Sequence, residues 1–112
     1  MDAETKIADV IANENFKGYG RLPGRLSESD KKRTLGQIAP LFPYHRHLSV
    51  DATLNVLNSM LAREKNGEKI FYDLYSDKEK GRAPTKAETG LFYFRGVKKA
   101  PFAVICAGGS FQ

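Results

Sequence analysis

The residues with the clearest chemical potential close the sequence, where an apolar run over 101–107 is followed by Gly108-Gly109-Ser110. Glycines at the carboxyl end of a strand let the backbone turn tightly, so that successive N–H groups can point at one ligand oxygen. During attack on an ester, such donors stabilise the negative oxygen of the tetrahedral intermediate by about 3–4 kcal/mol each. Many strands also end in glycine simply to turn, so this motif alone leaves both interpretations open.

Two histidines and one cysteine are the next candidates. His45 and His47 lie two residues apart, but no cysteine or acidic cluster with ligand spacing accompanies them. A metal site needs three or four convergent ligands, so we interpret both as surface residues and predict no metal site. Cys106 could be a nucleophile paired with either histidine. It lies in the most apolar run of the sequence, however, and there we predict a small, buried, unreactive thiol.

The glycine-rich stretch Gly18-x-Gly20-x-x-x-Gly24 has a superficial likeness to a dinucleotide-binding loop. Its spacing differs from G-x-G-x-x-G, and it follows a predicted helix where that motif follows a strand. We therefore interpret it as a connection and expect no cofactor.

Charge leaves a second class of function open. The 112 residues contain 18 Lys and Arg against 13 Asp and Glu, for a net charge of +5. Several cations are interleaved with Phe16 and Tyr19 in a pattern that would suit a nucleic-acid-binding arm, although it equally describes a solvated face. These cations are Lys17, Arg21, Arg25, Lys31, Lys32 and Arg33. The alternative function is thus a small basic binding module.

The compartment is expected to be the cytosol. A single cysteine excludes an internal disulfide and fits a reducing environment. The acidic start, residues 1–4, lacks the apolar core of a signal peptide, and no run is long enough to cross a membrane, so we expect no membrane partner.

The apolar pattern predicts helices first and strands afterwards. A short helix is expected over 3–14, an irregular segment over 34–47, and the best helix over 50–65, capped by Ser49 and ended by Gly67. Three strands are predicted after it. They are expected over 70–75, 90–95 and 102–107. The third has no polar alternation, which is typical of a strand buried on both faces.

Residues 89–112, TGLFYFRGVKKAPFAVICAGGSFQ, resemble the early strands of α/β-hydrolase esterases of the acetyl-esterase and lipase type. The resemblance extends to 71–75, to the helix over 50–65, and to 6–11 and 16–22. It covers nearly the whole sequence, but only about the N-terminal third of such an enzyme. It implies an α/β fold in which 1–68 form an N-terminal helical region and 69–112 the first three strands of a truncated α/β-hydrolase domain.

The resemblance also gives roles to the glycine pair. Ala107, Gly108, Gly109 and Ser110 match the four positions of the family's H-G-G-G-type oxyanion loop. The donors would be the N–H groups of Gly109 and Ser110, while Gly108 permits the turn. Two residues depart from the motif. Ala107 replaces histidine, and Ser110 stands at a usual glycine, where a left-handed backbone would cost about 1 kcal/mol.

The catalytic triad implied by the resemblance would follow the oxyanion loop in the order Ser, Asp or Glu, His. No G-x-S-x-G occurs in the 112 residues, so Ser110 is not the nucleophile and no catalytic residue is predicted here. We expect the N-terminal portion of an ester hydrolase that acts on a small-molecule ester when complete and is inactive alone. The family's sheet places the third strand between the fourth and fifth, so 102–107 would lack neighbours and could mediate self-association.

Overall fold

The computed structural model describes residues 1–21, 26–42 and 47–106. Four α-helices and two strands lie in this part of the chain. They are α1 (Ile7–Ile11), α2 (Glu28–Lys31), α3 (Val50–Lys65), β1 (Phe71–Asp73), α4 (Asp77–Arg82) and β2 (Gly90–Phe92). Short 3-10 helices connect them, at Glu14–Phe16, Tyr19–Arg21, Leu35–Gln37, Ala39–Leu41 and Pro84–Glu88.

Helix α3 has the bounds that its apolar spacing predicts. Its N-cap is Ser49, whose Oγ accepts a hydrogen bond of 3.0 Å from the backbone N–H of Ala52. One stripe of its surface packs against the core. This stripe consists of Val50, Leu54, Leu57, Met60 and Leu61. The observed bounds and cap confirm the predicted helix. Both signals, the cap and the apolar stripe, are local properties of the sequence.

The end of α3 is also the predicted one. Gly67 has a φ of +79°, the left-handed conformation that glycine adopts without steric cost. The N–H of Gly67 donates to the carbonyl of Glu64, and the N–H of Glu68 donates to the carbonyl of Arg63. These two bonds satisfy carbonyls that the last turn leaves open, in the pattern of a Schellman motif.

The first helix is much shorter than the predicted span of 3–14. The chain before it pairs instead with 33–36: the N–H of Leu35 donates to the Thr5 carbonyl at 2.8 Å, and the N–H of Ile7 to the Arg33 carbonyl at 2.9 Å. After α1, the Asn13 side chain accepts from the Asn15 N–H and begins a 3-10 turn. Contacts with a distant segment and a local cap therefore confine α1 to Ile7–Ile11.

Strands β1 and β2 form an antiparallel pair with Phe71 opposite Phe92, Tyr72 opposite Leu91 and Asp73 opposite Gly90. Both are shorter than predicted. β1 stops because Ser76 caps α4, in a capping box in which the Ser76 and Glu79 side chains each accept from the other residue's backbone N–H. The charged connector between the predicted strands thus contains a helix.

The predicted third strand is not formed over the described residues 102–106. Phe102 is 90% exposed and Ile105 is 92% exposed. Cys106 is exposed too, so its predicted burial is wrong. A strand requires a hydrogen-bonded neighbour, and among the described residues β1 and β2 pair only with each other.

The core joins the helical region to the start of the sheet. Its fully buried side chains are Phe16 and Ile70, and Tyr19 is 3% exposed. The remaining buried apolar residues are Ile7, Val10, Leu35 and Ile38. Ile70 lies directly before β1 and is buried in the same cluster as these N-terminal residues. It therefore holds the pair of strands against the helical region.

Candidate functional site

The proposed oxyanion residues Gly108, Gly109 and Ser110 lie outside the described residues, as does Ala107. The chain that leads to them is described as far as Cys106. It passes through a turn in which the N–H of Ala100 donates to the Val97 carbonyl at 3.1 Å. The structure therefore describes the approach to the glycine pair, and the donor geometry stays a prediction.

The other sequence candidates gain no chemistry from the fold. His47 is exposed, and His45 and Gly24 lie outside the described residues. Across the described ranges, no group of three or more His, Cys, Asp or Glu side chains is arranged to hold a metal ion. Within the same ranges, no helix is long and apolar enough to cross a membrane.

The structure brings together a polar cluster that the sequence reasoning missed. Glu64 on α3 is the buried acid of the described chain, with its side chain 2% exposed. Its Oε1 accepts a hydrogen bond of 2.8 Å from the hydroxyl of Tyr19, which lies 45 residues away in the sequence. Its Oε2 accepts no hydrogen bond within the described residues and lies 3.3 Å from Lys17 Nζ. The buried charge is thus compensated by one hydroxyl and one ammonium group.

A cavity of about 350 Å³ opens beside this cluster. Its lining consists of Lys17, Tyr19, Glu64, Lys69, Phe71 and Asp73. Both carboxylates of the lining have a lysine partner, since Lys17 pairs with Glu64 and Lys80 pairs with Asp73 at 2.7 Å. We interpret the cluster as a link between α3 and the 16–21 connection.

Tyr19 is the titratable group of the cluster with a clear perturbation. Burial of the phenol raises its pKa well above the ordinary value of 10.0, and the hydrogen bond to the Glu64 carboxylate raises the pKa further. Burial disfavours the charged phenolate, and the neighbouring Glu64 carboxylate disfavours a second negative charge beside it. The hydroxyl therefore remains a donor at neutral pH, as the bond to Glu64 requires.

The glycine-rich stretch is a tight connection that places Tyr19. Lys17 and Gly18 both have left-handed backbones, with φ of 48° and 84°, so the chain reverses directly after the buried Phe16. Gly20 then passes against α1, where a Cβ would lie 2.8 Å from the carbonyl oxygen of Ile11. Backbone conformation thus explains Gly18 and close packing explains Gly20, in agreement with the interpretation of this stretch as a connection.

Gly20→Ala is expected to lower the free energy of unfolding by about 1–3 kcal/mol, because the added methyl group meets backbone atoms that cannot move aside freely. Gly81→Ala is the matched control, since Gly81 lies within α4 and a Cβ there meets nothing within 4 Å. The control should be neutral or stabilising by about 0.5–1 kcal/mol. Chemical denaturation measures both, and equal stabilities would contradict the close approach.

Spacing could have identified Glu64. It lies seven residues after Leu57 and three after Leu61, so it continues the apolar stripe of α3. A carboxylate in a core position of a helix indicates a buried partner. The identity of that partner, Tyr19, depends on the fold and carries no sequence signal.

The proposed nucleic-acid-binding arm is partly neutralised within the fold. Lys31 pairs with Glu28, and Arg33 pairs with Asp30 at 3.4 Å. Hydrogen bonding to Lys31 lowers the pKa of Glu28, and hydrogen bonding to Ser27 lowers the pKa of Asp30. Arg25 and the side chain of Arg21 lie outside the described residues.

Comparisons of this chain with protein-family models, with curated proteins and with solved structures find no significant match.

Proposed function

We propose that residues 101–110 supply the oxyanion-stabilising turn of a carboxylic-ester hydrolase of the α/β-hydrolase type. The backbone N–H groups of Gly109 and Ser110 would donate to the negative oxygen that forms on the attacked carbonyl carbon. Gly108 would permit the turn that aims them. Such donors act through their fixed position, because no reorganisation is needed when the charge develops.

The observation that carries this proposal is the character of the segment before the glycine pair. Phe102 and Val104 alternate with Ala103 and Ile105, so apolar side chains would lie on both faces of a strand here. Phe102, Val104 and Ile105 are 90%, 73% and 92% exposed. An apolar segment of this kind is typical of a strand enclosed within a sheet, and such strands often lead into catalytic loops at their carboxyl ends.

The place of the third strand in the sheet is implied by the resemblance alone. β1 pairs with β2, and the described residues 102–106 form no strand. The fold class and the division into 1–68 and 69–112 remain part of the proposal.

None of the serines in these 112 residues lies in a G-x-S-x-G context. The proposal therefore requires a nucleophile outside them. The chain alone is therefore expected to hydrolyse no ester. The substrate of the complete enzyme would be a small-molecule ester, and backbone donors need neither a metal nor a cofactor. We place the protein in the cytosol, on the strength of its single cysteine.

The alternative, a basic module for nucleic acid, has less support. Two cations of the proposed arm are engaged by acidic residues of α2, and Lys17 is engaged by Glu64. Cations that already have a carboxylate partner contribute less to phosphate binding, because that partner must first be released.

The coding DNA beyond Gln112 tests the proposal. We expect one of its frames to encode a G-x-S-x-G pentapeptide, followed by an acidic residue and a histidine in the family's order. The pentapeptide should follow a predicted apolar strand and precede a helix, which excludes a chance match. Three frames without such a pentapeptide would contradict the proposed hydrolase.

A further inference from the structure

The buried acid of α3 has one oxygen that the fold leaves without a hydrogen bond. The Glu64 side chain is 2% exposed, and its Oε1 is occupied by the Tyr19 hydroxyl. Oε2 accepts no hydrogen bond from the described residues, and the Lys17 ammonium lies 3.3 Å away without hydrogen-bond geometry. The great majority of buried polar atoms in proteins have a hydrogen-bond partner. Oε2 is therefore an acceptor that a bound donor would satisfy.

The same carboxylate lines a cavity of small-molecule size. The cavity beside the Glu64 cluster has a volume of about 350 Å³, and small-molecule sites typically have volumes of about 300–1,000 Å³. Every lining residue lies at or before the end of β1, and the buried Tyr19 is one of them. The helical region and the first strand thus form the cavity between them.

Lys69 is the second open group of this lining. Within the described ranges it forms no ion pair, and its ammonium lies over a tyrosine ring instead. The other charged groups of the lining are paired, Lys17 with Glu64 and Asp73 with Lys80. One positive charge therefore remains among these groups, and it favours an anionic ligand.

We propose that this cavity binds a small hydroxycarboxylic acid. The carboxylate pairs with the Lys69 ammonium. The hydroxyl lies between Lys17 and Glu64, where it donates to Oε2 and accepts from Nζ. A hydroxyl can do both, whereas the ammonium group of an amino acid only donates and would meet Lys17 with like charge.

Two further features of the cavity fit this class of ligand. Phe71 belongs to the lining and offers an aromatic ring to the apolar body of the acid. The Lys17 side chain is 65% exposed, and its flexible stem lets the ammonium shift to admit the hydroxyl. The proposal concerns the 112-residue chain and does not depend on ester hydrolysis.

Isothermal titration calorimetry of the 112-residue chain with matched probes tests this assignment. Phenyllactate and β-hydroxy-β-phenylpropionate carry the hydroxyl on the first and second carbon after the carboxylate, and β-phenylpropionate lacks it. At least one hydroxy acid should bind with a Kd about tenfold or more below that of β-phenylpropionate, because its hydroxyl reaches a buried charged acceptor. The amino counterparts, phenylalanine and β-phenylalanine, should bind more weakly than the hydroxy acids.

Substitution of Lys69 locates the bound carboxylate. Lys69→Met should raise the Kd of the hydroxy acid by about threefold to fivefold, the range expected for an exposed ion pair. Lys86→Met is the matched control. Lys86 Nζ also lies over a tyrosine ring, 4.7 Å from the Tyr75 centroid, but Lys86 is outside the lining. The control should leave the Kd unchanged.

Glu64→Gln locates the hydroxyl. The amide keeps an oxygen that can accept from Tyr19, but it has an N–H donor in place of Oε2. The preference for the hydroxy acid over β-phenylpropionate should therefore fall to about one. Because two ligands are compared in one variant, a general loss of stability does not produce this result, and circular dichroism confirms that the variant is folded.

Several results would overturn the proposal. One is the absence of binding heat for both hydroxy acids at millimolar concentration. Another is a β-phenylpropionate or an amino acid that binds as tightly as the hydroxy acids, since the hydroxyl then has no role. A Lys69→Met variant with the Kd of the wild type would place the carboxylate elsewhere, and this result does not depend on the folding of Glu64→Gln.

Discussion

Tyr19→Phe is expected to lower the free energy of unfolding by about 1–3 kcal/mol. The substitution keeps the ring in the core but removes the hydroxyl that donates to Glu64 Oε1 at 2.8 Å. The carboxylate is then left buried with Lys17 as its remaining neighbour in the cluster. A buried acceptor without its donor bears the full cost of desolvation, which exceeds the net value of the bond itself.

Two controls separate the lost hydrogen bond from the altered side chain. Tyr75→Phe removes a hydroxyl outside the Glu64 cluster, and it should change the unfolding free energy by less than about 0.5 kcal/mol. The double variant Tyr19→Phe with Glu64→Met replaces donor and acceptor together, and it should recover most of the loss. Urea denaturation measures all three. Equal losses in Tyr19→Phe and Tyr75→Phe would contradict the cluster.

The same variant carries a pH signature. Because the folded protein raises the pKa of Tyr19 above 10.0, the folded state holds the phenol proton more strongly than the unfolded state. The stability from this group is complete below the unfolded pKa of about 10 and is lost as pH rises above it. The difference in stability between wild type and Tyr19→Phe should therefore be constant near neutral pH and shrink above pH 10. A difference that grows there would contradict the raised pKa.

The sequence predicts α3 well because everything that defines it is local. Ser49 caps the helix, one apolar stripe runs along it, and Gly67 has the backbone freedom to end it. Each signal lies within a few residues of the structure it determines. The shortened α1 is the opposite case. Its start is set by two hydrogen bonds to a distant segment, from the N–H of Leu35 to the Thr5 carbonyl and from the N–H of Ile7 to the Arg33 carbonyl. No local pattern encodes these bonds.

The site could be predicted only in part. The glycine pair and its roles come from a resemblance, and Gly108, Gly109 and Ser110 lie outside the described residues. The third strand and the buried Cys106 were predicted from apolar composition, which expresses a preference for burial but does not supply the neighbours that bury it. The Tyr19–Glu64 bond joins positions 45 residues apart, so only the fold could reveal it.

Gly109→Val is expected to have the largest effect on activity of any single change proposed. In the proposed complete hydrolase, the N–H of Gly109 would donate to the oxygen that becomes negative in the transition state. A branched side chain at this position would restrict the proposed turn and obstruct that oxygen. Loss of one oxyanion donor typically lowers kcat by about 10²–10³-fold. KM should change little, because the donor acts mainly on the transition state.

Gly96→Val is the matched control for this substitution. Gly96 is exposed, and a Cβ there meets nothing within 4 Å, so valine can be accommodated without displacing a neighbour. It should leave kcat and KM close to those of the wild type. The two variants compare the same chemical change at a position that is assigned to the site and at one that is not.

The most direct measurement of the central claim is therefore the kcat for a short-chain aryl ester of the longer protein that the proposed function requires. It is made for the wild type, Gly109→Val and Gly96→Val, with a serine-directed inhibitor to confirm the reaction class. The account predicts inhibitor-sensitive turnover that Gly109→Val lowers by about 10²–10³-fold and Gly96→Val leaves intact. An unchanged kcat in Gly109→Val would remove Gly109 from the oxyanion hole and contradict the account.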